Sequence, residues 1–143
     1  MSEAADVSKF LISFFDEMTA WGKQVIVWFD RDKGGLGDHH QAAHDALTKI
    51  YDVYVTDRVR KTGRLARMSF SLGMPDYDKS IEAICEISRP TKSSYLIETM
   101  RSIPDDDYEE RYRFKVVIKD GALRLDKRER FSESENRWVN EII

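Results

Sequence analysis

The chain is poor in the residues that staple or break a fold: one cysteine, three prolines and seven glycines among 143 residues. Cys85 has no second thiol, so no internal disulfide can form, and a reducing compartment such as a bacterial-type cytoplasm is expected. No apolar run is long enough to cross a bilayer as a helix, so no membrane partner is expected. The polar opening MSEAADVSKF does not read as a secretory signal. No excess of one charge is present, since 23 Lys and Arg face 26 Asp and Glu for a net −3. Nucleic-acid binders usually carry a basic excess, so direct nucleic-acid binding is not expected. A Gly-x-x-x-x-Gly-Lys-Ser/Thr phosphate loop and a Gly-x-Ser-x-Gly nucleophile elbow are both missing. There are no internal repeats and no low-complexity tract.

What is present is a globular balance, 41% hydrophobic and 34% charged, in a length that suits one domain over residues 1–143. Val7, Phe10, Leu11, Phe14, Phe15, Met18 and Trp21 recur at spacings of three and four. They predict a first helix from about Val7 to Asp30, with Gly22 as a candidate kink or break into two helices. Arg31 to Gly37 reads as a glycine-rich linker. A second helix is predicted from an Asp38 N-cap to about Arg58, burying Ala43, Ala46, Leu47, Ile50, Val53 and Tyr54, with Tyr51 at the rim.

The rest reads as strands. Leu65 to Leu72 predicts a short strand, and Gly73 to Asp76 a turn. In Ser80 to Ser88 one face carries Ile81, Ala83, Cys85 and Ile87, and the other Glu82, Ile84 and Glu86. Arg89 to Lys92 reads as a turn before a strand over Tyr95 to Met100. Arg111 to Arg130 reads as a β-hairpin. Tyr112, Phe114, Val116 and Ile118 alternate with cations, and Asp120-Gly121 suits a two-residue type I′ turn. That turn sets Ile118 opposite Leu123, Val116 opposite Leu125 and Lys115 opposite Asp126. The tail from Ser132 to Ile143 is expected to end in a helical turn folded onto the core.

Few residues suggest chemistry. His40 and His44 share a helix face beside His39, but the zinc-protease pattern and a nearby cysteine are absent, so no metal is expected. Cys85 has no adjacent histidine and is expected as a small buried hydrophobe. Glu82, Glu86 and Glu98 can meet across strands, though a solvated face explains them more simply. The aromatics suit a core. The acidic run Asp105, Asp106, Asp107, Glu109 and Glu110, followed by Arg111 and Arg113, is either a solvated loop or a surface that steers a basic partner. No catalytic group and no cofactor site emerge.

The order of short motifs carries one resemblance. Trp21-Gly22 precedes Tyr51 and Tyr54, then Gly63-Arg64-Leu65, Pro75-x-Tyr77-Asp78 and Ile84. Ile97-x-Thr99, Arg111-Tyr112-Arg113-Phe114, Lys119-Asp120-Gly121 and Leu125-Asp126 follow. From about Phe10 to Trp138 the chain resembles the immunity proteins with a nuclear transport factor 2-like fold, found beside polymorphic toxins such as the Rhs type. The resemblance implies an α+β, cone-shaped fold, its N-terminal helices packed in a curved antiparallel sheet. It also implies a non-catalytic protein that binds and blocks a cognate toxin domain. The acidic run would suit a basic nuclease as that toxin, and monomer and homodimer, the latter by pairing of the outer sheet face, both stay open. On this reading the residues from Asp105 to Arg113 named above are the candidate contact surface. The alternative is a small-molecule binding protein, or an isomerase- or cyclase-like enzyme, using the cone interior.

Overall fold

A computed structural model describes residues 3–31, 39–57, 77–102, 108–141 and 143, with the side chains of 29–31 left aside. The predicted linker over 32–37, the Asp38 cap, the strand Leu65–Leu72, the turn Gly73–Asp76 and the acidic Asp105, Asp106 and Asp107 lie outside the described residues. Two helices, α1 (Glu3–Arg31) and α2 (His40–Tyr54), precede five strands: β1 (Glu82–Thr91), β2 (Ser94–Ser102), β3 (Glu109–Lys119), β4 (Ala122–Ser132) and β5 (Arg137–Glu141). The strands pair antiparallel in chain order, β1-β2-β3-β4-β5.

α1 forms because its apolar residues hold one stripe for about five turns, from Val7 to Val25. Val7, Leu11, Phe14, Phe15, Met18 and Val25 are all buried. The helix runs unbroken through Gly22, so no division into two helices occurs there. α2 buries Ala43, Leu47, Ile50 and Tyr51 and ends at Tyr54, short of the expected Arg58. Tyr51 is in the core and Val53 is exposed, the reverse of the expectation. Tyr51 follows Ala43 by eight residues and Leu47 by four, which keeps it on the stripe, whereas Val53 falls off it. The Trp21 indole N–H donates to the Ala43 carbonyl (2.9 Å) and ties the helices together.

The hairpin forms as its sequence requires. Asp120 and Gly121 both have positive φ, 53° and 78°, and Ile118 faces Leu123 and Val116 faces Leu125. Beyond Leu125 the expected register fails. Lys115 faces Lys127, and Asp126 is the extra residue of a β-bulge. Its carboxylate instead accepts from the Thr56 hydroxyl (2.9 Å), and the Thr56 N–H donates to the Leu125 carbonyl (2.8 Å), joining the end of α2 to β4.

A second irregularity corrects β1. The ladder shifts between Ile84 and Glu86, leaving Cys85 over, so Glu82 and Ile84 share the inner face with Ile87. Cys85 is exposed and Glu82 is buried, against both expectations. The expected turn at Arg89 to Lys92 is strand as far as Thr91, and Pro90 is tolerated because β1 is an edge strand with a shifted ladder there. The tail is also corrected: Arg137–Glu141 pairs with β4 as a strand instead of forming a helical turn. Its edge position satisfies the backbone through β4, which a single helical turn cannot do. The chain end still folds onto the core, where Ile143 is buried and its carbonyl accepts from the Tyr51 hydroxyl.

The core lies between the helices and the inner sheet face. Phe14 packs on Tyr77 (5.0 Å between centroids) and Tyr54 (5.6 Å), and Phe15 on Phe114 (5.7 Å). Two glycines separate turn from helix energetically. Gly121→Ala is expected to lose about 1–2 kcal/mol, because φ is positive there. Gly22→Ala is expected to gain about 0.5–1 kcal/mol, since a Cβ at Gly22 meets nothing within 4 Å. Urea denaturation of both variants checks the opposite signs.

Candidate functional site: two faces of one sheet

Alternation along β3 sorts the candidate residues. Glu109, Arg111 and Arg113 point to the outer face, and Glu110, Tyr112 and Phe114 to the inner one. The structure therefore brings Glu109, Arg111 and Arg113 together and separates Glu110, whose carboxylate accepts from the Tyr112 hydroxyl (2.8 Å).

The inner face holds polar groups that sequence patterning had put in solvent or left unassigned. Glu82, Thr99, Arg101 and Arg128 are all buried. Thr99 donates its hydroxyl to Glu82 Oε2, and Arg101 Nη1 stands 3.9 Å from Glu82 Oε1. Arg128 lies among three rings, with Tyr112 at 4.2 Å, Tyr77 at 4.9 Å and Phe114 at 5.7 Å. Burial pushes the Glu82 carboxyl above its ordinary range, opposed by the Thr99 hydrogen bond and by Arg128 and Arg101. The three-carboxylate grouping of Glu82, Glu86 and Glu98 does not form. Glu86 faces Glu98 across the outer face, while Glu82 points inward opposite Arg101.

The outer face carries a different constellation. Phe131 and Trp138 are cross-strand partners whose rings meet edge-on, 5.5 Å apart at 73°. Arg111 lies 4.9 Å over Phe131, and Arg113 lies 4.5 Å over Trp138. Arg111 pairs with Glu98 (3.4 Å), and Arg113 with Glu129 (2.8 Å). Next to them, Met100, Tyr108, Glu109, Arg111, Phe131 and Glu133 border a recess of about 160 Å³, and Tyr108 is half exposed. Sequence reading found the two arginines and missed their aromatic partners. Phe131 continues the alternation of Lys127 and Glu129, but Trp138 meets it only through the β4–β5 register.

The histidines and helices contribute elsewhere. His39 stacks on Trp28 at 5.1 Å, and His44 Nδ1 is 3.7 Å from the Asp45 carboxylate. Among the described residues no three His, Cys, Asp or Glu side chains gather as ligands for a metal ion. No helix among them is long and apolar enough to cross a membrane. Trp21, Trp28, Ala46, Ile50 and Val53 help line an open groove of about 580 Å³ between α1 and α2.

Two helices closed on a five-stranded antiparallel sheet make an α+β arrangement consistent with the NTF2 fold. The family described as NTF2 fold immunity protein matches residues 6–141, and the chain belongs to it. It is an immunity protein, and its class implies a cognate toxin as partner. The immunity protein RhsIA of Dickeya dadantii (strain 3937) is 26% identical to it over 140 residues, covering 97% of each chain. No solved structure matches the chain.

Glu82 gives the inner cluster a pH signature. Folded Glu82 binds its proton more tightly than the unfolded chain, whose ordinary value is 4.5. Between 4.5 and the raised folded value, the folded state carries more protons, so stability falls as pH rises. Below that window both states are protonated and the penalty is absent. Glu82→Gln is expected to flatten this part of the stability profile, measured by urea denaturation across ~pH 4–8.

Proposed function

We propose that the protein neutralises its cognate toxin domain by stoichiometric, non-catalytic binding, working as one unit across residues 1–143. The observation that carries this is the family match, which spans nearly the whole chain. The likeness to the Dickeya immunity protein RhsIA supports an Rhs-type toxin as the partner, and a nuclease is the proposed activity of that toxin. The cytoplasm is the proposed site of action, which the single cysteine supports.

The interior supports a binding role over an isomerase- or cyclase-like one. Such an enzyme would need room for a substrate beside Glu82 and the tyrosines. Among the described residues, Phe14, Phe15, Tyr77 and Phe114 are buried and packed together in the core, and three rings surround Arg128. The proposed contact surface takes in the start of β3, from Glu109 to Arg113, together with the preceding Asp105, Asp106 and Asp107.

Co-expression with the C-terminal domain encoded by the upstream reading frame tests the proposal. Growth is expected to be restored only when this protein is at least equimolar to that domain. Light scattering of the purified mixture is expected to give a defined complex. Continued growth arrest, or rescue by trace amounts that turn over, would contradict it.

A further inference from the structure

The bulge at Asp126 has a consequence on the outer face. A regular ladder would have placed Lys115 against Asp126, a favourable pair. The extra residue replaces it with Lys115 opposite Lys127, while Asp126 is drawn to Thr56. Like charges directly opposite on one sheet face destabilise the pair. Three cations, Arg113, Lys115 and Lys127, then crowd one carboxylate: Glu129 lies 2.8 Å from Arg113 and 3.5 Å from Lys127. Across the outer face of β3 and β4, Arg111, Arg113, Lys115, Lys119, Arg124 and Lys127 stand against Glu109 and Glu129, with Glu98 of β2 paired to Arg111. This local excess of positive charge sits on a chain whose net charge is −3. Bulges re-aim side chains near functional sites, and local rules are broken most often where function requires it.

The same face holds the features of an energetic anchor. The guanidinium carbons of Arg111 and Arg113 lie 4.9 and 4.5 Å from the ring centres of Phe131 and Trp138, contacts that restrain both side chains and limit the entropy lost on binding. Arginine and tryptophan are the residue types that dominate interface hot spots. The recess beside Tyr108, about 160 Å³, has room for a single partner side chain.

We propose that this outer face is the docking surface for the toxin domain, and that the toxin surface it fits is a carboxylate-bearing one. This rests on the immunity reading and reverses the charge sign that the acidic run alone suggests. Planar guanidiniums restrained beside aromatic rings suit bidentate carboxylates. The excess of cations supplies attraction at a distance. For a nuclease, such a surface would lie apart from the basic phosphate-binding cleft, so the toxin would be held from beside its active site.

The test uses the full-length protein and an active-site-inactivated form of the upstream-encoded domain in biolayer interferometry at low and high salt. Arg111→Glu and Lys115→Glu are exposed or half-exposed changes expected to weaken binding about tenfold or more, with slower association that salt masks. Glu109→Lys is expected to speed association. Trp138→Ala, checked for an unchanged melting curve, is expected to speed dissociation. Wild-type binding with unaltered Arg111→Glu and Lys115→Glu kinetics would overturn the surface and leave the immunity reading standing. Slower association of Glu109→Lys would overturn the charge sign. No binding by the wild type would overturn the immunity reading and this surface with it. Tight, Arg111-dependent binding of a labelled oligonucleotide, or a homodimer dissociated by Arg111→Glu, would assign the face to another occupant and overturn the proposal.

Discussion

β4 has one residue more than β3 can pair, and Asp126 is the one left over. That single insertion decides which side chains meet the helices and which meet solvent. Before it, Leu123 and Leu125 point inward opposite Ile118 and Val116. After it the parity reverses, so Arg128 turns inward while Lys127, Glu129 and Phe131 turn outward. The bulge is held in place from outside the sheet, because Thr56 donates its hydroxyl to Asp126 and its N–H to Leu125. The exit of α2 and the parity of β4 are therefore one feature.

Both faces of the sheet follow from that parity. Inside, Arg128 enters a core otherwise built from rings and becomes tolerable because Tyr77, Tyr112 and Phe114 surround it and Glu82 supplies opposite charge nearby. Burying such a group is expensive, often more so than a hydrophobic substitute would be. Outside, the same shift stacks Phe131 beside Trp138 and gathers cations around Glu129. The sheet thus keeps a costly ion inside and a costly like-charge pair outside, and the second is where a partner has most to gain.

The hairpin was legible because turn chemistry and alternation act locally: Asp120-Gly121 fixes the turn, and register follows from it to Leu125. It stopped being legible at Asp126, since an extra residue leaves no mark in a period-two pattern and depends on Thr56, seventy residues away. Cys85 repeats the lesson in β1. One unpaired residue exchanged the faces, sending Glu82 inside and the cysteine out. The tail was read as helix because five residues are too few to display a period, and only the neighbouring β4 made them a strand. In the candidate site, Arg111 and Arg113 stood out by charge. The split of Glu110 from Glu109 was also there to be read, because adjacent strand residues face opposite ways. The pairing of Phe131 with Trp138 needed the β4–β5 register and could not be read from either segment alone.

Hydroxyl-radical footprinting of the protein, free and bound to its toxin domain, tests the docking face most directly. Tyr108, Phe131 and Trp138 lie on or beside the outer face, and Trp28 and Tyr54 line the groove between α1 and α2. Oxidation of Tyr108, Phe131 and Trp138 is expected to fall in the complex while Trp28 and Tyr54 react as in the free protein. Protection of Trp28 and Tyr54, with the outer-face rings still oxidised, would contradict that docking face.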